Sequence, residues 1–582
     1  MRVGLFLLLL SCSIFCKDII PKSKLKWWQT SIIYQIYPRS FKDSDGDGVG
    51  DLKGIASKID YFVYIGVKAI WLSPFYPSPM KDFGYDISNH TDVDPVFGTL
   101  EDFRNLLTEC HKRDIKVIID FVPNHTSDLH PWFLASVRSE EPYKDFYVWT
   151  DGIEGPDGTK IKPNNWLSVF GGEVWKWNEQ RQQFYYHAFL EGQPDLNYRN
   201  PKVVEEMDNV IRFWSEMGVD GIRVDAIANL YEVEDVSLNE PLSGKPGVPE
   251  FQYEYLNHIY TSDMPEIEGA IRGWRNAMNE FETEDGVPRF MVVEFYETPD
   301  KRNAYLGYGC DLPFNFDLVE PGITADCGGR CIRDMVDIEY SALPKHSWPN
   351  FVLGNHDRKR ITKKRGAGAA NAMNMLLLTL RGTPTTYYGE EIGMEEVDVP
   401  FEETQDPWGL NYGKERYTEF SRDPCRTPLQ WNGDSQSGFT TAEKPWLPIH
   451  ANYRTVNVES QKTSKELSPL QLYKQLAELR ENTAFQYGDL NYAVVNANIF
   501  SYIRNSVGDP RYLVTINFGK TNSKDDYTDH TDGRFLGRII AHTGNMKNEP
   551  YYKKDMEVPL NGILLQPDQG LVIELLKRRQ EL

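Results

Sequence analysis

The 582-residue sequence predicts an α/β protein built on a (β/α)8 barrel, with a small domain inserted after the third strand and an antiparallel β domain at the C-terminus. Eight short apolar runs recur with helical patterns between them, which is typical of repeated βα units. Nearly a hundred residues with few long periodic stretches separate the third run from the fourth. From residue 492 onward, apolar and polar residues alternate as in antiparallel strands.

The apolar runs are the predicted barrel strands, taken in chain order. They are residues 31–38, 69–74, 116–122, 221–226, 290–294, 311–316, 350–357 and 383–389. Helices between them are predicted at residues 100–113, 201–217 and 267–281, the second starting at Pro201, a residue favoured in the first turn.

The chain is too long for one core, so several domains are expected. Residues 1–16 predict a secretory signal peptide, with Arg2 before a short apolar run that is too short to span a bilayer. The barrel is assigned residues 24–125 and 194–490. A structureless loop of the intervening length is implausible, so residues 126–193 are predicted to form an inserted domain. A C-terminal β-sandwich takes residues 491–582. The expected location is extracellular, with no transmembrane segment.

Composition narrows the class of ligand. The formal charge of −22 disfavours nucleic acid and anionic membranes, because both bind basic surfaces. The aromatic content of 13% would suit stacking on sugar rings, although aromatic residues more often fill a core. A neutral small molecule is therefore the expected ligand, and the protein is expected to be a monomer or a weak homo-oligomer.

Five cysteines lie outside the leader, and this odd number leaves at least one unpaired. Cys327 and Cys331, close together in a glycine-rich loop, are the predicted disulfide in an oxidising compartment. Asn89 and Asn124 each begin a glycosylation sequon. Asn89 is the predicted glycan site, whereas Asn124 is assigned to the active site, where a glycan would not fit.

Four predicted strands end in polar residues, at the face of a barrel where active sites lie. These ends are residues 120–125, the pair Arg223 and Asp225, Glu294, and residues 355–357. Arg223 and Asp225 are two apart on a strand and face the same way, so the guanidinium would keep the carboxylate ionised. A structural ion pair or a capped strand end would explain any one of them. Four together, three with a carboxylate, indicate a site for acid and nucleophile chemistry.

The same segments resemble the four ordered signature motifs of the α-amylase clan of glycoside hydrolases. The motifs are residues 120–125, 221–225, 293–294 and 354–357, and residues 193–197 resemble a fifth motif of the oligo-1,6-glucosidase and α-glucosidase branch. Residues 34–41 and 421–431 look most like those of insect maltases in that branch. The resemblance covers the chain from about residue 27 to its end. Phe295 departs from the pattern, because relatives often carry Ala after the acid.

This resemblance implies a retaining, exo-acting α-glucosidase. Asp225 would be the nucleophile, Glu294 the general acid/base, and Asp357 the carboxylate that stabilises the transition state. Glu294 must begin protonated, and its carboxylate neighbours are expected to raise its pKa. The implied substrate-binding residues are Tyr85, Asp86, His125, Phe170, Phe189, Arg223, Ala226, His356 and Arg426.

Three of these roles bear on specificity. Tyr85 would stack on the terminal glucose while Asp86 and Arg426 hold its 4-hydroxyl, so that the charged pair closes the pocket and single glucose units are released. In the resembling family a small residue at Ala226 accompanies α-1,4 substrates, so maltose and sucrose are expected over isomaltose. Phe170 and Phe189 are candidate pocket walls, and core packing explains them equally well.

Residues 43–51 alternate oxygen-bearing side chains with glycines, like the first half of a calcium loop, but Gly54 occupies the place of the usual twelfth-position Glu. Related α-glucosidases imply structural, non-catalytic Ca²⁺ here. An unoccupied acidic turn is the alternative. The implied ligands are Asp43, Asp45, Asp47, the carbonyl of Val49, and Asp51.

Two alternative functions would each require a different set of sequence features. A non-catalytic relative acting as a transporter subunit or receptor would lack catalytic carboxylates or carry an N-terminal membrane helix. An endo-acting amylase would lack the Asp86 and Arg426 block. Neither matches the residues present.

Overall fold

The structure is a computed structural model that describes residues 25–545 and 551–576. Eight parallel strands form one sheet in the order 6-5-4-3-2-1-8-7. Strands 1 to 8 are Ile33–Ile36, Ala69–Leu72, Lys116–Phe121, Gly221–Val224, Phe290–Val293, Leu312–Pro313, Asn350–Val352 and Thr383–Tyr387. All eight predicted strands are confirmed, and each is shorter than the apolar run that predicted it.

Side chains close the barrel between strands 6 and 7. The Asn350 amide donates to the Pro313 carbonyl at 2.8 Å, and the Asn315 backbone amide donates to the Asn350 side chain at 2.9 Å. These contacts replace ladder hydrogen bonds, because the polar groups of buried strand edges must find partners. The predicted (β/α)8 barrel is thus confirmed.

Helices surround the barrel, with ends set by local capping. Thr99 and Asp102 form a reciprocal capping box at the start of Leu100–His111, and Pro201 opens Pro201–Glu216. Ile267–Asp285 runs past its predicted end and stops where Gly286 takes a left-handed conformation. The other longer helices are Ile59–Ile65, Pro299–Tyr308, Gly329–Ala342, Ala370–Thr379, Gly413–Phe420 and Pro469–Leu479.

Residues 126–193 lie over the carboxyl ends of the strands. They contain the helix Pro131–Val137, a three-stranded antiparallel sheet and a small hairpin. The sheet joins Trp149–Thr150, Gln183–Tyr186 and Trp175–Asn178, and the hairpin joins Ile153–Glu154 to Lys160–Ile161. Trp166, Trp175 and Tyr186 belong to a hydrophobic cluster of its own. We refer to this region as the inserted region.

The C-terminal region confirms the predicted antiparallel β domain. Its six-stranded sheet has the order Asp489–Val495, Ile499–Asn505, Tyr512–Asn517, Gly570–Leu575, Leu536–His542, Glu557–Pro559. A second sheet pairs Ser523–Asp525 with Ile563–Leu565. Arg504 crosses to the barrel and donates to the Thr379 carbonyl at 2.6 Å, while Arg480 donates to Leu378 at 2.9 Å. These two arginines satisfy carbonyls at the end of the helix Ala370–Thr379.

Cys327 and Cys331 are joined, which confirms the predicted disulfide, and Cys110, Cys310 and Cys425 are unpaired and buried. Asn89 is exposed, whereas Asn124 is buried and donates to Asp195 at 2.9 Å. Among the described residues, no helix has both the length and the apolar character needed to cross a bilayer. The predicted signal peptide, residues 1–16, lies outside the described part of the chain.

Candidate active site

A cavity of about 250 Å³ opens at the carboxyl ends of the barrel strands, beneath the inserted region. It brings together residues from four strand ends, as the polar strand ends predicted. The predicted site residues in its wall are Tyr85, His125, Phe170, Phe189, Asp225, Ala226, Glu294, His356 and Asp357.

Arg223 is the cation around which the catalytic carboxyls gather. Its Nη1 lies 2.5 Å from Asp225 Oδ1 and 2.9 Å from Asp120 Oδ1, and its Nη2 lies 2.9 Å from Glu294 Oε2. Strand pairing creates this arrangement, because Arg223 is opposite Asp120 on strand 3 and opposite Val292 on strand 5. Since both nitrogens belong to one rigid guanidinium, Asp225 and Glu294 are close neighbours.

Burial controls the protonation of these two carboxyls. It raises the pKa of Glu294 to about 8, against the opposing charge of Arg223 and with help from Asp225 and Asp357. It raises the pKa of Asp225 to about 6, again against Arg223. Near neutral pH the pair therefore offers a mostly protonated Glu294 beside a mostly ionised Asp225. Neighbouring carboxylates, the expected cause for Glu294, are weaker than burial.

The surroundings of Asp357 shift its pKa in the opposite direction. Although burial opposes it, His356, Arg422 and Arg426 lower the pKa of Asp357 below its ordinary value. Arg422 Nη1 lies 3.2 Å and Arg426 Nη2 lies 3.0 Å from Asp357 Oδ1. Asp357 is therefore a permanent carboxylate held between two guanidinium groups.

The predicted Asp86–Arg426 block at the end of the pocket is wrong. Asp86 is buried outside the cavity wall, where its carboxylate accepts from Ser78 Oγ and from the backbone amides of Lys81 and Asp82. These donors satisfy both carboxylate oxygens, so Asp86 stabilises its own loop. Arg426 lies behind Asp357 rather than across the pocket from Asp86.

A different pair, four residues earlier in each segment, lies in the wall of the pocket. Arg422 Nη2 lies 2.7 Å from Asp82 Oδ1 and 2.6 Å from Asp406 Oδ1. Asp82 and Arg422 both line the cavity. Gly84, at φ 109°, lets the chain turn between Asp82 and Asp86, which sends the two carboxylates to different places. Spacing alone could not separate two aspartates and two arginines that are each four residues apart.

Tyr85 and His356 form one stacked wall of the cavity, with ring centroids 5.3 Å apart and planes 7° apart. Gln35 Nε2 lies 2.8 Å from His356 Nδ1, and the Tyr85 hydroxyl donates to Asp120 at 3.0 Å. Because the side-chain nitrogen of Gln35 can only donate, His356 Nδ1 accepts from it. The proton of His356 is therefore on Nε2, which faces Tyr85 and Asp357. His356 can therefore donate a hydrogen bond towards the cavity.

The opposite wall comes from the inserted region. Phe170 and Phe189 pack edge to face at 5.6 Å, and Arg422 lies 4.9 Å above the Phe170 ring. His125 lies 5.3 Å from Phe189, and burial lowers the pKa of His125 to about 3, so its ring is neutral. Both phenylalanines are thus pocket residues as well as packed ones.

Ala226 follows the nucleophile candidate in a left-handed conformation, at φ 48°. Its backbone amide lies 3.3 Å from Glu294 Oε2. Phe295, the departure from the resembling pattern, also lines the cavity. The sequence did not single out Trp408 or Tyr253, which line it from outside the strand-end motifs.

The predicted metal loop lies outside this cavity. Carboxylate oxygens of Asp43, Asp45 and Asp51 lie within 4.8 Å of one another. Asp47 turns its carboxylate to the Val49 backbone amide, at 2.7 Å. Three converging carboxylates form an all-oxygen donor set, which fits a hard cation such as Ca²⁺.

A protonated and an ionised carboxyl on one guanidinium, at the strand ends of a barrel, form the machinery of a glycoside hydrolase. Residues 35–488 match the family model of the alpha amylase catalytic domain. The chain belongs to the alpha-amylase family, and it is an enzyme of the glycoside hydrolase type.

Relatives with different names are similar to this chain over most of its length. Maltase 1 of Drosophila virilis is 42% identical over 562 residues, 95% of this chain and 88% of that protein. A salivary alpha-glucosidase of Aedes aegypti is 43% identical over 502 residues, 85% of this chain and 86% of its own. The amino acid transporter heavy chain SLC3A1 of Rattus norvegicus is 40% identical over 584 residues, 97% of this chain and 81% of its own.

A solved structure shares the architecture. The crystal structure of the alpha-glucosyl transfer enzyme XgtA superposes with a TM-score of 0.79 at 33% identity, covering 95% of this chain and 100% of that one.

Proposed function

We propose that this protein is a retaining, exo-acting α-glucosidase that releases α-glucose from the non-reducing end of maltose, sucrose and short α-1,4-glucans. One observation carries the proposal: Asp225 and Glu294 share Arg223 in a cavity whose far end is closed by the Asp82–Arg422 pair. A pocket closed at one end admits a single terminal sugar. The names of the maltase and α-glucosidase relatives support the substrate class.

The proposed mechanism follows from the two protonation states. Ionised Asp225 attacks the anomeric carbon while Glu294 gives its proton to the glycosidic oxygen, which leaves a covalent glucosyl-enzyme. Glu294, now a base, takes a proton from water as the water attacks that intermediate. A sugar hydroxyl in place of water would give transglucosylation. Asp357 and His356 would hold hydroxyls of the bound glucose.

Digestion of maltopentaose labelled at its reducing end tests this function. An exo-acting enzyme first produces labelled maltotetraose and free glucose, and proton NMR should show that glucose as the α-anomer. Asp225→Asn should abolish turnover because it removes the nucleophile. Early release of labelled maltose would indicate endo cleavage, and β-glucose as the first product would contradict retention.

A second candidate, a non-catalytic subunit of an amino-acid transporter, is favoured by the similarity to the SLC3A1 heavy chain. Asp225, Glu294 and Asp357 together in one pocket argue for catalysis instead. Absence of turnover on every α-glucoside, with the chain folded, would favour the transporter role.

We also propose that the loop of residues 43–51 holds a structural Ca²⁺ ion. Asp43, Asp45 and Asp51 would bind it through carboxylates, with Asp47 and the Val49 carbonyl completing the set. Chelation should then lower the melting temperature, and Ca²⁺ should restore it. An unchanged melting temperature in EDTA would argue for an empty loop.

Secretion is the proposed location. The exposed position of Asn89 would admit a glycan, and the Cys327–Cys331 bridge suits an oxidising compartment. The salivary relative supports the same location. A shift in electrophoretic mobility on glycosidase treatment, absent in Asn89→Gln, would test the glycan.

A further inference from the structure

Residues 230–262 form a long loop that follows strand 4 and reaches the wall of the cavity. Loops of this length within a compact domain are usually functional. The loop contains a carboxylate with no exposed side-chain surface, that of Glu240. Glu240 Oε1 accepts from the Tyr260 amide at 3.0 Å and from Thr261 Oγ1 at 2.9 Å. Its Oε2 lies 2.6 Å from His258 Nδ1.

This buried contact controls an aromatic ring. The His258 ring stacks on Tyr253 with centroids 3.5 Å apart and planes 4° apart. His258 Nε2 lies 2.7 Å from the Tyr253 carbonyl and donates to it. Glu240 thus lies against the Nδ1 edge of His258, and His258 contacts both the backbone and the ring of Tyr253. Tyr253 itself lines the cavity.

The inserted region anchors the other end of this chain of contacts. Asn165 Nδ2 donates to the Glu240 carbonyl at 2.9 Å, and the Glu240 amide donates to Asn165 Oδ1 at 2.8 Å. Two reciprocal hydrogen bonds fix the Glu240 backbone against a loop of the inserted region. The position of Tyr253 is thus set by contacts that do not touch Asp225 or Glu294.

Tyr253 and Asn229 line the cavity together, and the Tyr253 hydroxyl is hydrogen-bonded to Asn229. Under the proposed function, the Asp82–Arg422 pair bounds the end of the cavity that takes the terminal sugar. Glu294 must face the oxygen that it protonates, so the leaving group extends away from that end.

We propose that Tyr253 is a binding residue for the leaving-group sugar, and that Glu240 and His258 are positioning residues that hold its ring in place. The ligand at this subsite is a neutral hexose unit, either the leaving sugar or an incoming sugar acceptor. The inference rests on the proposed α-glucosidase function. It adds a determinant of specificity that lies outside the strand-end motifs.

Two substrates separate this role from general damage to the enzyme. Maltose places a glucose unit against Tyr253, whereas α-glucosyl fluoride places only a fluorine atom on the leaving side. Glu240→Ala and His258→Ala should raise KM for maltose about fivefold, the loss expected for one aromatic contact. The same variants should leave kcat/KM for α-glucosyl fluoride within about twofold of the parent value.

Tyr253→Ala should reproduce the maltose effect, and Tyr253→Phe should retain most of the affinity because the ring remains. Glu250→Ala is the matched control, since Glu250 is exposed in the same loop and loses the same charge. Melting temperatures of all variants establish that they are folded. Glu240→Gln keeps the oxygen that accepts from Tyr260 and Thr261 and places an amide nitrogen that can donate to His258 Nδ1, so it should retain the parent KM. Tyr253→Ala remains informative if Glu240→Ala or His258→Ala does not fold.

Equal losses on both substrates would overturn the inference, because the loop would then support the whole site. Unchanged KM for maltose in folded Glu240→Ala and Tyr253→Ala would overturn it as well. A parent enzyme that cleaves neither substrate would instead refute the proposed function, and the inference with it.

Discussion

The carboxyl of Glu294 permits a quantitative test of the site's electrostatics. Burial raises its pKa from 4.5 to about 8, so the folded chain keeps a proton that the unfolded chain loses across this interval. The stability that this proton contributes is complete below the unfolded pKa and is lost as pH rises through the folded one. A Glu294→Gln variant has no such proton to lose. It should therefore become progressively more stable than the parent as pH rises.

The size of this effect follows from the shift. A pKa moved from 4.5 to about 8 corresponds to about 5 kcal/mol, at about 1.4 kcal/mol per unit. A cooperative unfolding entropy for a chain of 582 residues is about 1.2 kcal/mol/K, which converts this energy into about 4 °C of melting temperature.

Differential scanning fluorimetry at about pH 5 and about pH 9 would measure the difference in melting temperature between the parent and Glu294→Gln. Because pH 5 already lies above the unfolded pKa of 4.5, the gap in melting temperature should widen by about 3 °C in favour of Glu294→Gln at the higher pH. Glu284→Gln, at an exposed position on the helix Ile267–Asp285, is the control and should show a constant gap. A gap between parent and Glu294→Gln that does not change with pH would refute the reasoning.

Other predictions concern activity. The pH profile of kcat/KM should rise through about 6 as Asp225 ionises and fall through about 8 as Glu294 loses its proton, whereas a flat profile would contradict both assignments. Arg422→Met leaves the buried Asp82 carboxylate without its cation, which should lower the free energy of unfolding by about 3–5 kcal/mol and reduce maltose turnover; full activity in the folded variant would exclude a role in closing the pocket. Ala226→Val should raise the isomaltose-to-maltose ratio and lower the melting temperature, because a β-branched side chain is less tolerated than Ala at φ 48°; an unchanged ratio would count against Ala226 as a specificity residue.

The parts of the fold that the sequence predicted are those determined by residues adjacent in the chain. Barrel strands are buried on both faces, so each appears as a short apolar run that can be read without knowing its neighbours. The same holds for the polar residues at strand ends, such as Arg223 and Asp225, because parallel strands place their carboxyl ends on one face. The predicted helix starts at Leu100 and Pro201 were local for the same reason, since caps are made by adjacent residues.

The parts that the sequence did not reveal depend on contacts between loops. Asp82 meets Arg422 only because two irregular segments, 340 residues apart, fold over the same strand ends. Neither segment has a hydrophobic periodicity that indicates which way its side chains point. The sequence pattern therefore indicated the neighbours Asp86 and Arg426 instead. Tyr253 was missed for a related reason, because its place is set by His258 and Asn165 through tertiary contacts.

Arg504 connects the C-terminal sheet to the barrel, and this contact has a practical consequence for truncated forms of the protein. Arg504 belongs to the C-terminal sheet, yet its guanidinium supplies hydrogen bonds to Thr379, Phe485 and Gly488. A product that stopped after the helix Pro469–Leu479 would leave the Thr379 carbonyl without its arginine donor and would expose to water the apolar surface that the C-terminal sheet covers. Crystallisation or industrial versions of the catalyst should therefore retain the whole C-terminal sheet, and loop shortening is better attempted at its exposed turns.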